Sequence, residues 1–449
     1  MHHPQPSLTA KLKDRIRTSI DALLLDLRST GERGRLVREM LVTMGLRMGA
    51  LGIAFIASII YARTLQARGY GIYAYVIAWY DVALIPVGLG LQEYLVREAA
   101  KDTRPERLRG ILRWADKRLL ASGVLGAAAL SCIGYLLPAA VGFRPLFMVA
   151  AWLPLLATLA FARQSILRAS NAVIASQWPQ LLMTPALMLA MLLTWWAVTG
   201  TLTPTVLIAA MLASLAVCLV VQSLQVRRHL AHGQASPVSA LSLKGAFPFM
   251  WLSAIWLVNS RMDLLILGSL KNSADVGVYA VVVRVAGLVT LTTATVSTII
   301  SPRISAYFHG GEHERLQRLL GASAQRTFLL CLPLALVLML AGGPLLGLAF
   351  GGEFPRGWAA LAILAFAQLL NVMCGPVGVT LYMTGHESIA NRIFTASAVL
   401  NVILNFMLIP RFGIVGAAVA TSISLIGWNL GLWVVVRRRL KLRPSAIGI

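Results

Sequence analysis

The chain has 449 residues, of which 58% are hydrophobic and only 13% charged, with a mean hydropathy of +0.75. A water-soluble chain is about a quarter charged, so this composition excludes a soluble globular protein, and the apolar runs are too long for the alternating strands of an outer-membrane barrel. The formal charge of +23 sits in the tails and in alternate loops, where it sets topology and meets anionic lipid, which argues against a nucleic-acid partner.

What remains is an all-α polytopic membrane protein. Residues 1–40 carry Lys11, Lys13, Arg15, Arg17, Arg28, Arg33, Arg35 and Arg38, with Ile16, Ile20, Leu23, Leu24 and Leu27 between them at three- and four-residue spacing. This pattern predicts a basic amphipathic helix on the cytoplasmic leaflet. The apolar patch Ala22–Leu25 is far shorter than a signal-peptide core, so the segment is expected to stay inside. Six apolar runs follow, at roughly 41–62, 71–92, 119–140, 146–166, 179–199 and 204–225. Six more lie at roughly 246–268, 276–300, 327–349, 357–383, 393–410 and 414–436. Each is long enough to cross the hydrocarbon, which takes about 20 helical residues. The expected division is an N-terminal six-helix bundle (41–225), a cytoplasmic linker (226–245), a C-terminal six-helix bundle (246–436) and a basic cytoplasmic tail (437–449).

The two halves repeat one another. Gly71-Ile72-Tyr73-Ala74 returns as Gly277-Val278-Tyr279-Ala280, and at the same offset of 206 Arg97 falls on Arg303. Glu106-Arg107-Leu108 and Arg118 return as Glu314-Arg315-Leu316 and Arg326, two residues later than that offset requires. An ordered series of matches is the mark of an internal repeat, and an even number of helices per copy makes the copies parallel, enclosing a central cavity. Lys and Arg crowd the loops after helices 2, 4, 6, 8 and 10, whereas the opposite loops hold only Arg63, Arg68, Arg144, Lys271, Arg356 and Arg411. By the positive-inside rule both termini are cytoplasmic.

In the loops after helices 2 and 8, Leu108, Ile111, Leu112 and Leu119, and Leu316, Leu319 and Leu320, fit one face of a short helix. These segments are interfacial elbows or, with Arg97 and Arg303, a cytoplasmic gate. Catalytic motifs are missing: the chain has no P-loop, no Gly-x-Ser-x-Gly and no His-Glu-x-x-His, so no enzyme activity is expected. The four cysteines lie in apolar runs without metal-ligand spacing, which predicts no metal site.

Charges inside spans are costly and therefore informative. Four spans carry them: Arg47 in helix 1, Asp81 in helix 2, Arg261 and Asp263 in helix 7, and Arg284 in helix 8. Depth along the helices suggests that Arg47 pairs with Asp81 and Asp263 with Arg284, so that the two acids are candidates for structural pairing or ion coupling. Arg261 and Asp263 are about 200° apart around their helix, which leaves at least one cation to face an aqueous lumen. Gln92, Asn259, Gln368, Asn371, Asn401, Asn405 and Asn429 are neutral polar residues within spans, either lining that lumen or bonding between helices. Helix breaks at Pro86-Val87-Gly88-Leu89-Gly90, Pro185 and Gly375-Pro376 would let helices bend.

The stretch from Tyr61-Ala62-Arg63-Thr64-Leu65 through Gly69-Tyr70-Gly71-Ile72-Tyr73 to Gly88, Gly90, Arg97 and Glu98 resembles Wzx-type polysaccharide or O-antigen flippases. These belong to the multidrug/oligosaccharidyl-lipid/polysaccharide (MOP) exporter superfamily. Arg261-Met262-Asp263 through Tyr279, and Asn401 through Asn405 to Ala418, resemble the same family. One departure is Gln66, where such sequences often have Gly after the Leu, which implies a loop of different shape. The resemblance implies a MATE-like V of two six-helix bundles that opens alternately to each side of a bacterial inner membrane. It also implies an undecaprenyl-diphosphate-linked oligosaccharide as cargo, such as an O-antigen (lipopolysaccharide) or exopolysaccharide repeat unit. Arg47, Arg261 and Arg284 would then hold the diphosphate, since guanidinium groups fork onto phosphate oxygens. No bound cofactor is implied, and the driving force would be a proton or Na⁺ gradient. Expected partners are the lipid-linked glycan, anionic lipids and a polysaccharide polymerase or export machinery. The competing reading within the superfamily is a cation-coupled multidrug exporter, whose lumen should be dominated by acids, whereas here it leans basic. A peptidoglycan-precursor flippase would have two further helices, and a glycan polymerase or ligase would need a large periplasmic loop.

Overall fold

A computed structural model of the protein describes residues 32–136, 144–230, 236 and 241–446, and among these there are helices and turns but no strand. The helices are α1 (Glu32–Gly88), α2 (Leu91–Ala99), α3 (Pro105–Leu136), α4 (Arg144–Ala169), α5 (Val173–Thr199), α6 (Pro204–His229), α7 (Phe247–Leu270), α8 (Ser273–His309), α9 (His313–Phe350), α10 (Pro355–Cys374), α11 (Val377–Met383) and α12 (Glu387–Leu440). The basic helix expected over 1–40 falls outside the described residues as far as residue 31, and 32–40 open α1.

Local sequence sets the ends. Thr203 accepts a hydrogen bond from Val206 N with Pro204 in the first turn of α6, and Asn272 Oδ1 accepts from Asp275 N at 2.9 Å to start α8. Gly200, at φ 68°, ends α5 in the left-handed conformation that glycine adopts without strain.

Among the described residues, ten helices are long and apolar enough to cross a membrane. Two of them cross twice. The rings of Tyr61 and Tyr73 lie 6.1 Å apart, although twelve residues of straight helix would separate them by about 18 Å. The chain therefore doubles back at Gln66, whose φ of 57° and ψ of −179° are non-helical. In α12 the Ser397 hydroxyl reaches Ser424 O at 3.0 Å across a second reversal at Gly413. With α1 and α12 each counted as two limbs, the described chain makes twelve crossings. Leu125, Val198, Leu340 and Leu348 stand exposed on its outer surface, as a lipid-facing belt requires.

The expected elbows take a different form. Leu108, Ile111 and Leu119, and Leu316 and Leu320, are buried on one face, but they lie in α3 and α9, which run unbroken into their spans. The chain turns instead at Ala100–Arg104 and at Gly310–Glu312, so the leucine faces pack as extensions of the transmembrane helices. A short helix that does lie between spans in the first half is α2, whose buried Leu91, Tyr94 and Leu95 dock on its basic end.

The two halves meet along a seam formed by the repeated motif itself. A Cβ on Gly71 would lie 1.7 Å from Ser273 O, and one on Gly277 would lie 2.0 Å from Ala67 O. Residues 67 and 273 are repeat mates, as are 71 and 277, so the contact is two-fold symmetric. At this sparsely charged end Arg63 Nε donates to Ala349 O at 2.7 Å, Ala67 N donates to Glu353 Oε2 at 2.7 Å, and Lys271 Nζ donates to Pro410 O at 3.0 Å. Arg63 and Lys271 thus cap carbonyls near the ends of helical limbs, where positive charge is favoured, while Arg356 pairs with Asp275.

Candidate functional site

The second limb of α1 and α7 run antiparallel from this seam toward the basic end. Tyr75 packs on Gly268 and its hydroxyl lies 3.2 Å from Ser269 Oγ. Six to eight residues further along each helix, about 10 Å, Arg261 Nε meets Asp81 Oδ2 at 2.7 Å. Further still, Gly90 touches Ala246 O and Met250. Between the ion pair and Gly90 the helices part around a cavity of about 340 Å³. Its floor is Asp81 and Arg261, its walls include Thr158, Phe161 and Trp256, and Gln92 lies at its basic end. Toward the other end the Gly71–Gly277 seam shuts it off.

The register of α1 on α7 decides the pairing, and it overturns the pairs expected from depth alone. Asp81 takes Arg261 rather than Arg47. Arg47 is exposed on the first limb of α1. Arg284, exposed on α8, reaches Ala54 O of that same limb at 3.4 Å, so it does not face Asp263. Asp263 points the opposite way from Arg261, into the second half, and is buried there. It accepts hydrogen bonds from the Tyr279 hydroxyl at 2.7 Å, the Thr421 hydroxyl at 3.2 Å and Leu264 N at 2.8 Å.

A second cavity, of about 650 Å³, opens on the other face of α7 within the second half. Ser253 and Trp256 border both cavities. Asn259 and Asn371 line the second one, and Asn371 Nδ2 donates to Gln368 Oε1 at 3.2 Å. Asn401 and Asn405 line neither. They are buried, and Asn405 Nδ2 donates to Asn401 Oδ1 at 3.0 Å, which makes them a structural amide pair within α12.

At the basic end the Arg97 guanidinium is 5.2 Å from the Tyr94 ring centroid and 5.3 Å from that of Phe249 on α7, and so bridges the halves by cation–π contact. Glu98 beside it bonds Lys101 at 2.8 Å and Arg97 at 3.2 Å. Burial pushes its pKa up, but the bonds and charges of those two cations outweigh burial and hold it below the ordinary carboxylate range. Arg303, the repeat mate of Arg97, is exposed on α8. Arg97 therefore joins the halves, and among the described residues no corresponding contact accompanies Arg303.

Two features go beyond the sequence reading. Arg163 on α4 forks onto Asp116 of α3, with Nη2 to Oδ2 at 3.1 Å, and bonds Ser223 of α6 at 3.3 Å. It is a fifth charged span where four were counted, and Asp116 just ahead of its own apolar run was the available signal. The aromatic lining of the second cavity, Trp256, Phe394 and Trp428, has no periodic signature in the chain.

A family profile described as polysaccharide biosynthesis protein matches residues 36–308. The chain is 31% identical over 189 residues to the probable low-salt glycan biosynthesis flippase Agl15 of Haloferax volcanii, a match over 42% of this chain and 38% of that protein. It spans less than half the length of the curated relatives it matches. In three dimensions it is similar to the lipid II flippase MurJ in an inward closed conformation, with a TM-score of 0.71 and 15% identity over 89% of this chain and 87% of that one. It is equally similar to an inward-facing MATE transporter of the MOP superfamily, with a TM-score of 0.71 and 13% identity over 87% and 94%. The fold is thus the MATE-like all-α polytopic one.

Proposed function

Because the chain belongs to the polysaccharide biosynthesis protein family, we propose that it is a flippase carrying a polyprenyl-diphosphate-linked oligosaccharide across the membrane by alternating access. Undecaprenyl is the proposed lipid, and an O-antigen or exopolysaccharide unit the proposed glycan. The observation that carries this reading is Arg261, bonded to Asp81 at 2.7 Å, at the floor of a cavity between the halves. A diphosphate cannot cross bare hydrocarbon, and guanidinium groups are its natural counter-ions there. Arg47, exposed two turns along α1 from Ala54, would receive the headgroup first.

The basic end, with both termini, is read as cytoplasmic, in a bacterial inner membrane. The Gly71–Gly277 seam and the Gly90–Met250 contact bound the cavity at its two ends, and in the proposed cycle the basic end opens to load the cargo. Arg97 on Phe249 would be the contact that forms and breaks at the loading side. Asp263 is the candidate coupling residue for a proton or Na⁺, and flipping that is indifferent to an imposed pH or Na⁺ gradient overturns that part. A polymerase or export machinery would receive the product. The charged cavity contains one acid, already neutralised by Arg261, which disfavours a lipophilic-cation cargo.

The test is export of lipid-linked glycan in cells that rely on this protein. Arg261→Ala should abolish surface glycan at near-normal protein abundance, and Arg261→Lys should restore it only in part. Wild-type export by Arg261→Ala would overturn the reading that this cavity holds the diphosphate.

A further inference from the structure

The second cavity differs in chemistry from the first. No Asp, Glu, Lys, Arg or His is among its lining residues, whereas Asp81 and Arg261 floor the other. It is lined by aromatic rings and amides. Phe394 and Trp428 meet edge to face with centroids 5.6 Å apart, and Asn259, Asn371 and Asn429 contribute side-chain amides. Two lining oxygens, Asn259 Oδ1 and Thr293 Oγ1, are buried without a hydrogen-bond partner. Buried polar atoms are normally satisfied, so unpaired ones call for an explanation such as a ligand.

From this we infer that the second cavity is a subsite for an uncharged sugar ring of the transported glycan, an assignment that rests on the flippase reading above. A sugar ring presents a flat C–H face and a rim of hydroxyls. The indole and phenyl faces suit the first, and the unpaired oxygens and amides suit the second. Position also fits. Asn259 is two residues from Arg261, and Trp256 borders both cavities, so a headgroup whose diphosphate sits on Arg261 can pass its first sugar around α7. A neutral cavity also discriminates: a carboxylate-bearing sugar would be desolvated there with no cation to meet it. The subsite therefore selects neutral residues, such as hexoses and N-acetylhexosamines, over uronic acids.

The experiment uses the full chain in nanodiscs and three probes: polyprenyl diphosphate without sugar, polyprenyl diphosphate bearing a neutral disaccharide, and the free neutral disaccharide. The variants are Asn259→Ala and Trp428→Phe. We expect both to weaken the glycosylated lipid about tenfold and to leave the bare lipid within twofold of wild type. Equal losses for both lipids would seat the prenyl chain in the cavity and overturn the proposal. A glycosylated lipid bound no better than the bare one, and insensitive to both variants, would overturn it while leaving the flippase reading intact. Binding of the free disaccharide, lost in the variants, with neither lipid bound, would uphold a sugar site and overturn the flippase reading. If the wild type binds none of the three, both fall.

Discussion

Gly71 and Gly277, opening residues of the two repeated motifs, pack backbone against backbone across the seam, each filling the space where the other copy's carbonyl would meet a Cβ. The repeat is therefore more than a record of duplication: its two copies touch at the symmetry axis, and glycine is what lets them approach. Adding a methyl group at either site forces the backbones apart, at a cost of order 1–3 kcal/mol for overpacking. We expect Gly71→Ala and Gly277→Ala to destabilise the closed seam and shift the protein toward opening at that end. In a cysteine-free background, a cysteine placed at Ala74 should then be labelled faster by an impermeant maleimide added outside. Unchanged labelling together with unchanged export would remove the seam from the gating mechanism.

Gln66 gives a sharper local test. The resemblance implies a loop of altered shape where related sequences carry glycine, yet Gln66 holds φ 57° and ψ −179°, a region that only glycine enters freely. The turn keeps the glycine conformation without the glycine, because Arg63 and Glu353 pin it from both sides. Strain of this kind is worth about 1–3 kcal/mol. Gln66→Gly should raise the melting temperature, while Gln66→Ala should not, and a fall with glycine would show that the backbone there is unstrained.

The C-terminal segment is threaded into the second half. Arg443 N donates to Gln317 Oε1 at 2.7 Å, Ala446 N to Met373 O at 2.9 Å, and a Cβ on Gly375, which sits at φ 79°, would lie 2.1 Å from Pro444 O. Gly375→Ala should expel the segment, exposing Leu442 and Ser445, which are now buried. Limited proteolysis with trypsin should then cut after Lys441 several-fold faster than in the parent, and an unchanged digestion rate would contradict the docking.

The sign of the pH response at the basic end follows from Glu98. Its folded pKa is held below the ordinary value, so its contribution is present above the ordinary carboxylate range and is lost as pH falls through the folded value. Its partners Arg97 and Lys101 are half exposed, which limits the contribution to about 1 kcal/mol. The stability difference between wild type and Glu98→Gln should be largest at neutral pH and close below about pH 4. A gap that widens in acid would mean the carboxyl is not held charged by these partners.

The spans, their twelvefold count and the parallel repeat were legible because each rests on a long or repeated pattern: runs of about 20 apolar residues and matched motifs 206 apart. The charged residues were legible as a set, since charge within an apolar run is conspicuous. Their pairing was not. Asp81 and Asp263 each had a plausible cation at similar depth, and the choice depends on the rotational register of packed helices, which Tyr75 on Gly268 decides. The second cavity was illegible for a related reason: Trp256, Thr293, Asn371 and Trp428 come from four different helices and share no spacing in the chain.

The ion pair between Asp81 and Arg261 makes the most direct prediction about mechanism. The pair joins α1 of the first half to α7 of the second, and its 2.7 Å contact occupies the guanidinium that the proposed diphosphate needs. Asp81 then acts as a stand-in anion that the cargo displaces. Removing it by Asp81→Asn should leave Arg261 free, tightening polyprenyl diphosphate binding several-fold while slowing release on the far side. Reversing the pair, with Asp81→Arg and Arg261→Asp together, keeps the attraction between helices and moves the cation to α1. That double variant should fold to near-normal abundance but flip lipid-linked glycan at least tenfold more slowly, since one charge-assisted hydrogen bond is worth about 1.5–3 kcal/mol. Full activity in the reversed pair would mean that the contact serves only to hold the two halves together, and that the diphosphate is met by Arg284 and Arg47 alone.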